Sequence, residues 1–244
     1  MKLFKSLLVG VSLSFAASTA SAIEGLDAKM LDDTNFNAFA KDMGSALSYK
    51  ALTPAEPLGI TGFDVGIEVT GTSLEGVDQW GAAIGDTSLG ILPFPKVHAH
   101  KGLPFGVDVG LVYSTLPTAD ISYIGGEVRY SFVSGNVAMP AIAVRGTYTQ
   151  LMGVDEVDFN TKGLEATISK GFLMFTPYAG VGNIWTSADL SYSTTSAAVS
   201  ASSDPSLFKW FVGLNFNMGL MNIVGEVDKT GDAMSYSMKL GFRF

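Results

Sequence analysis

From Ile60 to the last residue, apolar and polar positions alternate with a period of two. Phe63, Val65, Ile67 and Val69 alternate with Gly62, Asp64, Gly66 and Glu68, and Phe105, Val107, Val109, Leu111 and Tyr113 with Gly106, Asp108, Gly110, Val112 and Ser114. Successive side chains of a strand point to opposite faces, so each segment has one apolar face and one of glycine, hydroxyl and charge. The pattern predicts strands near 60–72, 91–101, 105–116, 120–133, 137–150, 158–169, 172–186, 207–217, 220–229 and 233–244. That is about ten, an even number of the kind single-chain bacterial outer-membrane barrels have. Pro93 and Pro95 make the second strand the least regular, since proline cannot donate to a sheet ladder.

The connections predict a polarity. Lys101–Pro104, Ser134–Asn136, Lys170–Gly171 and Met218–Gly219 read as tight turns, whereas Ser73–Gly90 and the Ser/Thr/Ala-rich Ser187–Ser206 read as long loops. Short turns on one side and longer loops on the other correspond to the periplasmic and extracellular ends of a transmembrane barrel.

Upstream of the strands the period changes. Phe36, Phe39, Ala40, Met43 and Leu47 recur at helical spacing between Leu31 and Tyr49, with Asp33 or Thr34 as N-cap, and Thr53–Gly59 reads as a linker ahead of the barrel. The helix is expected either to lie in the periplasmic interface as an anchor or to enter the barrel mouth as a plug, the plain surface helix being slightly favoured. Lys2 and Lys5, the apolar run Leu7–Phe15 and Ala20-Ser21-Ala22 read as a signal peptide over residues 1–22. The expected organisation is therefore 1–22 signal peptide, 23–59 helix and linker, and 60–244 barrel.

A soluble β-sandwich also alternates, so the decisive feature is which residues share the polar face. Asp64, Glu68, Asp108, Glu127, Arg129, Arg145, Glu165, Lys209, Glu226, Asp228, Lys239 and Arg243 fall on one parity and are expected to line a lumen. Val128, Tyr130, Phe132, Val144, Tyr148, Phe208, Trp210, Val212 and Phe216 fall on the other, with Lys162 as an exception suited to an interface. Lys209 is expected to pair with Glu226 and Asp228, and Lys239 and Arg243 to join the same network across the last strands. Tyr113, Tyr130, Phe132, Trp185, Trp210 and Tyr236, near strand ends, suit interfacial girdles.

In the last strand Met234, Tyr236, Met238, Leu240, Phe242 and Phe244 alternate with Ser235, Ser237, Lys239, Gly241 and Arg243. An alternating strand ending in phenylalanine resembles the assembly signal of Gram-negative outer-membrane β-barrel proteins, carried here by Tyr236, Leu240, Phe242 and Phe244. The resemblance implies an all-β fold, a closed antiparallel transmembrane β-barrel, in the cell outer membrane. It also implies outer-membrane lipid and the barrel-assembly machinery as partners. The amino-terminal hatches of fatty-acid transport barrels are an architectural analogy for the helix.

Composition narrows the chemistry. Fifteen basic against 23 acidic residues leave a net charge of −8 and no footprint for nucleic acid. Absence of cysteine excludes disulfides and thiolate metal sites. His98 and His100, two apart on one strand face, supply two imidazoles, too few for a metal site, and are expected as polar lumen or rim residues near the Lys101 turn. Omptin proteases cluster acids and histidines at the extracellular mouth, whereas these histidines fall at the opposite end from Asp155 and Asp189. The serines between Ser193 and Ser203 have no histidine to activate them. No catalytic residue, metal or cofactor is expected. The expected role is a porin-like narrow channel or transporter for ions or small solutes, or a structural membrane barrel. A barrel enzyme, or an adhesin acting through its loops with Trp80 among the contacts, is the alternative.

Overall fold

The computed structural model describes residues 33–73, 91–116, 121–153, 157–193 and 198–244. The proposed signal peptide, Trp80 and Asp155 lie outside the described residues. Among the described residues, the helix α1 (Asp33–Leu47) precedes β1 (Phe63–Ser73), β2 (Ile91–Gly102), β3 (Val107–Leu116), β4 (Ile121–Ser134), β5 (Ala141–Met152), β6 (Val157–Ser169), β7 (Phe175–Ser193), β8 (Ala198–Ser203), β9 (Ser206–Met218), β10 (Met221–Thr230) and β11 (Ala233–Arg243). Every pairing is antiparallel. β1 pairs with both β2 and β11, and β6 with β7, which closes the sheet on itself. β8 and β9 both pair with β7, β8 along Ala188–Ser193 and β9 along Phe175–Trp185, so together they form one strand interrupted at Asp204 and Pro205. The result is a closed barrel of ten strands.

The period-two reading of the sequence finds ten of these eleven strands, all but β8, with ends shifted by a few residues, and differs most at three places. Phe105 is not in a strand. It sits in a short 3-10 turn with φ 64°, and β3 begins at Val107. Likewise β7 starts at Phe175, after a turn closed by the Phe172–Phe175 bridge. The expected loop Ser187–Ser206 is largely a hairpin, since β7 runs to Ser193 and β8 returns antiparallel to it. Alternating Ser, Ala and Leu still satisfy a ladder, and low hydrophobicity hid this from the pattern. Pro93 and Pro95 are accommodated because β3 pairs only with Val97–Gly102, leaving the proline-containing half of β2 bonded on one side only.

The four turns between β2 and β3, β4 and β5, β6 and β7, and β9 and β10 are short and share one end of the barrel with the start of β1 and with Phe244. Phe63 and Phe244 lie 5.5 Å apart there, and Phe175 and Phe216 stack at 4.9 Å. The opposite end carries the 74–90 connection and the β7–β8 hairpin, though Gly231–Asp232 shows that not every connection there is long. By the loop rule the first end is periplasmic and the second extracellular.

Burial is inverted relative to a soluble protein. Val65, Ile67, Leu111, Val128, Phe132, Leu164, Phe208, Val212 and Phe242 face outward and are exposed, while Asp64, Glu68, Arg129, Lys209, Asp228 and Lys239 are buried. Lys162 faces out, beside Tyr148 and Trp185 in the register. A continuous apolar wall around a charged interior is stable only in lipid, and only a closed sheet satisfies the backbone there. The strands, mostly 10–14 residues long, are sufficient to cross a hydrocarbon core.

Candidate functional site: a plugged lumen

The lumen is filled by the chain's own amino-terminal segment. α1 occupies the extracellular half, and the extended strap 48–62 runs from there to the periplasmic end, where Gly62 meets β2 and Phe63 meets Phe244. The surface-helix expectation is thus corrected. From Asp42 to Ala55 every residue is buried, whatever its polarity, as only a segment enclosed on all sides can be.

Three tiers hold the plug. The upper one is apolar: Phe36, Phe39, Met43 and Leu47 share a cluster with inward-facing Leu92, Phe94, Val112, Tyr123, Leu151, Phe159 and Leu190. Gly44 lets α1 approach β7 and β9, since a Cβ there would lie 2.3 Å from Thr186 Oγ1 and 3.3 Å from Leu207 Cδ1.

Below α1 the lumen is ionic. Lys50 Nζ donates to Asp228 at 3.1 Å and to the Ser45 carbonyl at 3.2 Å. Lys209 bridges plug and wall, donating to the Tyr49 carbonyl at 2.9 Å and to Glu165 at 2.7 Å. Arg145 links Glu165 at 2.9 Å to Glu127 at 3.4 Å. Lys96 lies 3.1 Å from Glu68, which also pairs with His98, and the Tyr49 hydroxyl sits 3.2 Å from His100 Nε2. Lys239 pairs with Asp64 at 3.0 Å, and Tyr178 donates to Glu226 at 2.7 Å.

The lowest tier is a clamp around the strap. Arg129 donates through Nε and Nη2 to Asp108 at 3.2 and 2.5 Å, and through Nη1 to Thr53 Oγ1 at 2.7 Å and the Pro54 carbonyl at 2.6 Å. Asp108 accepts the Leu58 amide at 3.1 Å, Ser131 donates to the Ala55 carbonyl at 2.6 Å, and Ser169 accepts the Ala55 amide at 3.0 Å. Leu52 bends the strap between clamp and ionic tier with φ 46°, a conformation unusual for a side chain larger than glycine, and packs on Tyr178, Phe211 and Val224.

Of the twelve residues assigned to the lumen from parity, eleven are buried inside it and Arg243 is half-buried at the periplasmic rim. Their pairing differs from the sequence expectation. Lys209 lies opposite Gly182 and Thr230, reaches Glu165, and leaves Asp228 to Lys50 and Glu226 to Tyr178. Sequence reasoning overlooked Lys96, on the same parity, and Lys50 and Tyr49, which belong to the plug. His98 and His100 lie in the lumen, not at the rim, stacked at 5.6 Å with Tyr49 over them. Among the described residues, no three His, Asp or Glu side chains form a metal-holding group. In the final strand Tyr236 and Phe242 face lipid, Leu240 is half-buried and Phe244 is exposed at the periplasmic rim.

A closed ten-stranded barrel, apolar outside and charged within, defines this chain as an outer-membrane β-barrel protein located in the cell outer membrane. No protein-family model and no curated protein matches its sequence. Among solved structures it is similar to the translocator domain of the autotransporter NalP from Neisseria meningitidis, at 10% identity over 84% of this chain and 94% of that one, with a TM-score of 0.43. It is also similar to Ail, the attachment invasion locus protein of Yersinia pestis, at 13% identity over 75% and 97%, TM-score 0.36. The amino-terminal β-barrel domain of Pseudomonas aeruginosa OprF is similar at 13% identity over 74% and 97%, TM-score 0.35.

Proposed function

We propose that the protein is a gated narrow channel, closed at rest by its amino-terminal segment and conducting ions or small solutes when that segment leaves the lumen. One observation carries this reading. Below α1 the plug is held mainly by hydrogen bonds and ion pairs, which water entering the lumen replaces at small net cost. Below the level of α1, what the plug uncovers is a hydrophilic passage, as a conduit requires, beneath an outer mouth lined by apolar residues such as Leu92, Phe94 and Phe159. Withdrawal of Lys50 also leaves Asp228 without its cation, which tips the passage toward cations.

In this reading His98 and His100 serve plug and wall, because Tyr49 covers them, and no catalytic role is assigned. The test is single-channel recording in planar bilayers. The full chain should open rarely, and a variant lacking residues 33–58 should conduct continuously. The chain has no cysteine, and Ala55 packs on Ala141 and Ala143, so Ala55→Cys with Ala143→Cys offers a clean lock. The cross-linked protein should be silent and recover on reduction. A folded deletion variant that stays silent refutes the proposal.

A further inference from the structure

The direction in which the plug threads the barrel has a consequence for what the cell exposes. The strap leaves the lumen at the end of the short turns: Ala55 and Leu58 are bound there by Ser131, Ser169 and Asp108, each near the turn-proximal end of its strand. α1 lies at the other end, against β7 and β8, and β8 exists only beyond the level where β9 begins. Among the described side chains of α1, from Phe36 onward, exposure ends at Lys41. Asn37 and Lys41, one turn apart, are exposed, and everything from Asp42 onward is buried. The helix therefore descends into the barrel from its long-loop mouth with its amino-terminal half uppermost. Short turns are periplasmic in this class of barrel and long loops extracellular.

We infer that the chain threads the barrel from its extracellular mouth to its periplasmic end, so that the Asn37–Lys41 face of α1 is displayed at the cell surface. The inference concerns the route of the plug and holds whether or not the plug ever leaves. It makes the plug a surface element, reachable by an extracellular partner, and not a periplasmic anchor. A polypeptide arriving from the periplasm reaches this state only by carrying the segment through the lumen to the outer mouth.

The test is cysteine labelling on intact cells with a maleimide–polyethylene glycol too large to cross the outer membrane, read as a gel shift. Three single variants of the full chain are compared: Lys41→Cys on the plug, Asp232→Cys in the β10–β11 turn, and Val137→Cys in the β4–β5 turn. The expected result is labelling of Lys41→Cys and Asp232→Cys on intact cells, and of Val137→Cys only after the membrane is permeabilised. Labelling of Asp232→Cys but not Lys41→Cys on intact cells overturns the inference. So does labelling of Val137→Cys on intact cells, which reverses the barrel, and so does a Lys41→Cys that remains unlabelled even in detergent. Normal heat-modifiable migration of each variant confirms that a folded barrel was probed.

Discussion

Lys50 is the cation that the strap contributes to the lumen wall, and replacing it tests the plug where the structure makes the size of the effect calculable. Its ammonium and Asp228 are both buried, 3.1 Å apart, and Lys50→Met removes the charge while keeping most of the side-chain volume. In the plugged state Asp228 would retain the Thr230 hydroxyl at 3.1 Å as hydrogen-bond donor and the more distant charge of Lys209, whereas in the open state water would solvate it in mutant and wild type alike. The cost therefore falls on the closed state. Removing one partner of a buried pair typically costs about 3–5 kcal/mol. Lys209, which also acts on Asp228, places this site at the lower end of that range. At 1.4 kcal/mol per tenfold, roughly 3 kcal/mol raises the ratio of open to closed by about two decades. Open probability in planar bilayers is the assay. Adding Asp228→Asn to Lys50→Met removes the stranded charge and should return open probability most of the way to wild type. An unchanged open probability in Lys50→Met, or a double variant no more closed than the single one, would refute the argument that this pair holds the plug.

Other expectations follow from the same geometry. Gly44→Leu forces a branched side chain against Thr186 and Leu207, so α1 should lose its seat and conductance should become frequent, while heat-modifiable migration shows an intact barrel. Arg129→Met strands Asp108 and releases the Thr53 and Pro54 oxygens. At roughly 3–5 kcal/mol for a broken buried pair, amide hydrogen exchange across residues 53–58 should accelerate at least 100-fold with little change in the β-strands. Ile67→Lys puts a charge on the lipid face midway along β1, where the cost is about 2–4 kcal/mol, and should lower the urea midpoint of the refolded protein, whereas Thr70→Lys, on the lumen side, should not lower it by the same mechanism. Deleting Phe244 removes the Phe63 ring contact and the terminal backbone bonds to Phe63, and should slow membrane insertion, measured as the fraction reaching the heat-modifiable form.

The wall of this barrel was legible because every strand sees lipid on one side and lumen on the other, so Val65, Ile67 and Val69 and their neighbours Asp64 and Glu68 record the partition directly. The plug was not legible from α1 itself. Helical spacing locates Phe36, Phe39, Met43 and Leu47, but Asp42, Ser45 and Ser48 between them look like a solvated face, and periodicity cannot separate water from a polar lumen. The pairing of Lys209 with Glu165 was hidden for a related reason: which inward residues meet across a lumen depends on strand stagger, and parity carries no stagger. The signal that the lumen is occupied lies in the wall. Toward the extracellular ends, the inward positions change from charged to apolar, as at Leu92 and Phe94 on β2, Val112 on β3, Leu151 on β5, Phe159 on β6 and Leu190 on β7. An empty, water-filled barrel has no use for apolar groups on both faces of the same strand ends, because the inner set would be hydrated at a cost that scales with its area. Loss of alternation at one end of several adjacent strands therefore implies an apolar occupant at that level, and α1, upstream and of matching length and spacing, supplies it.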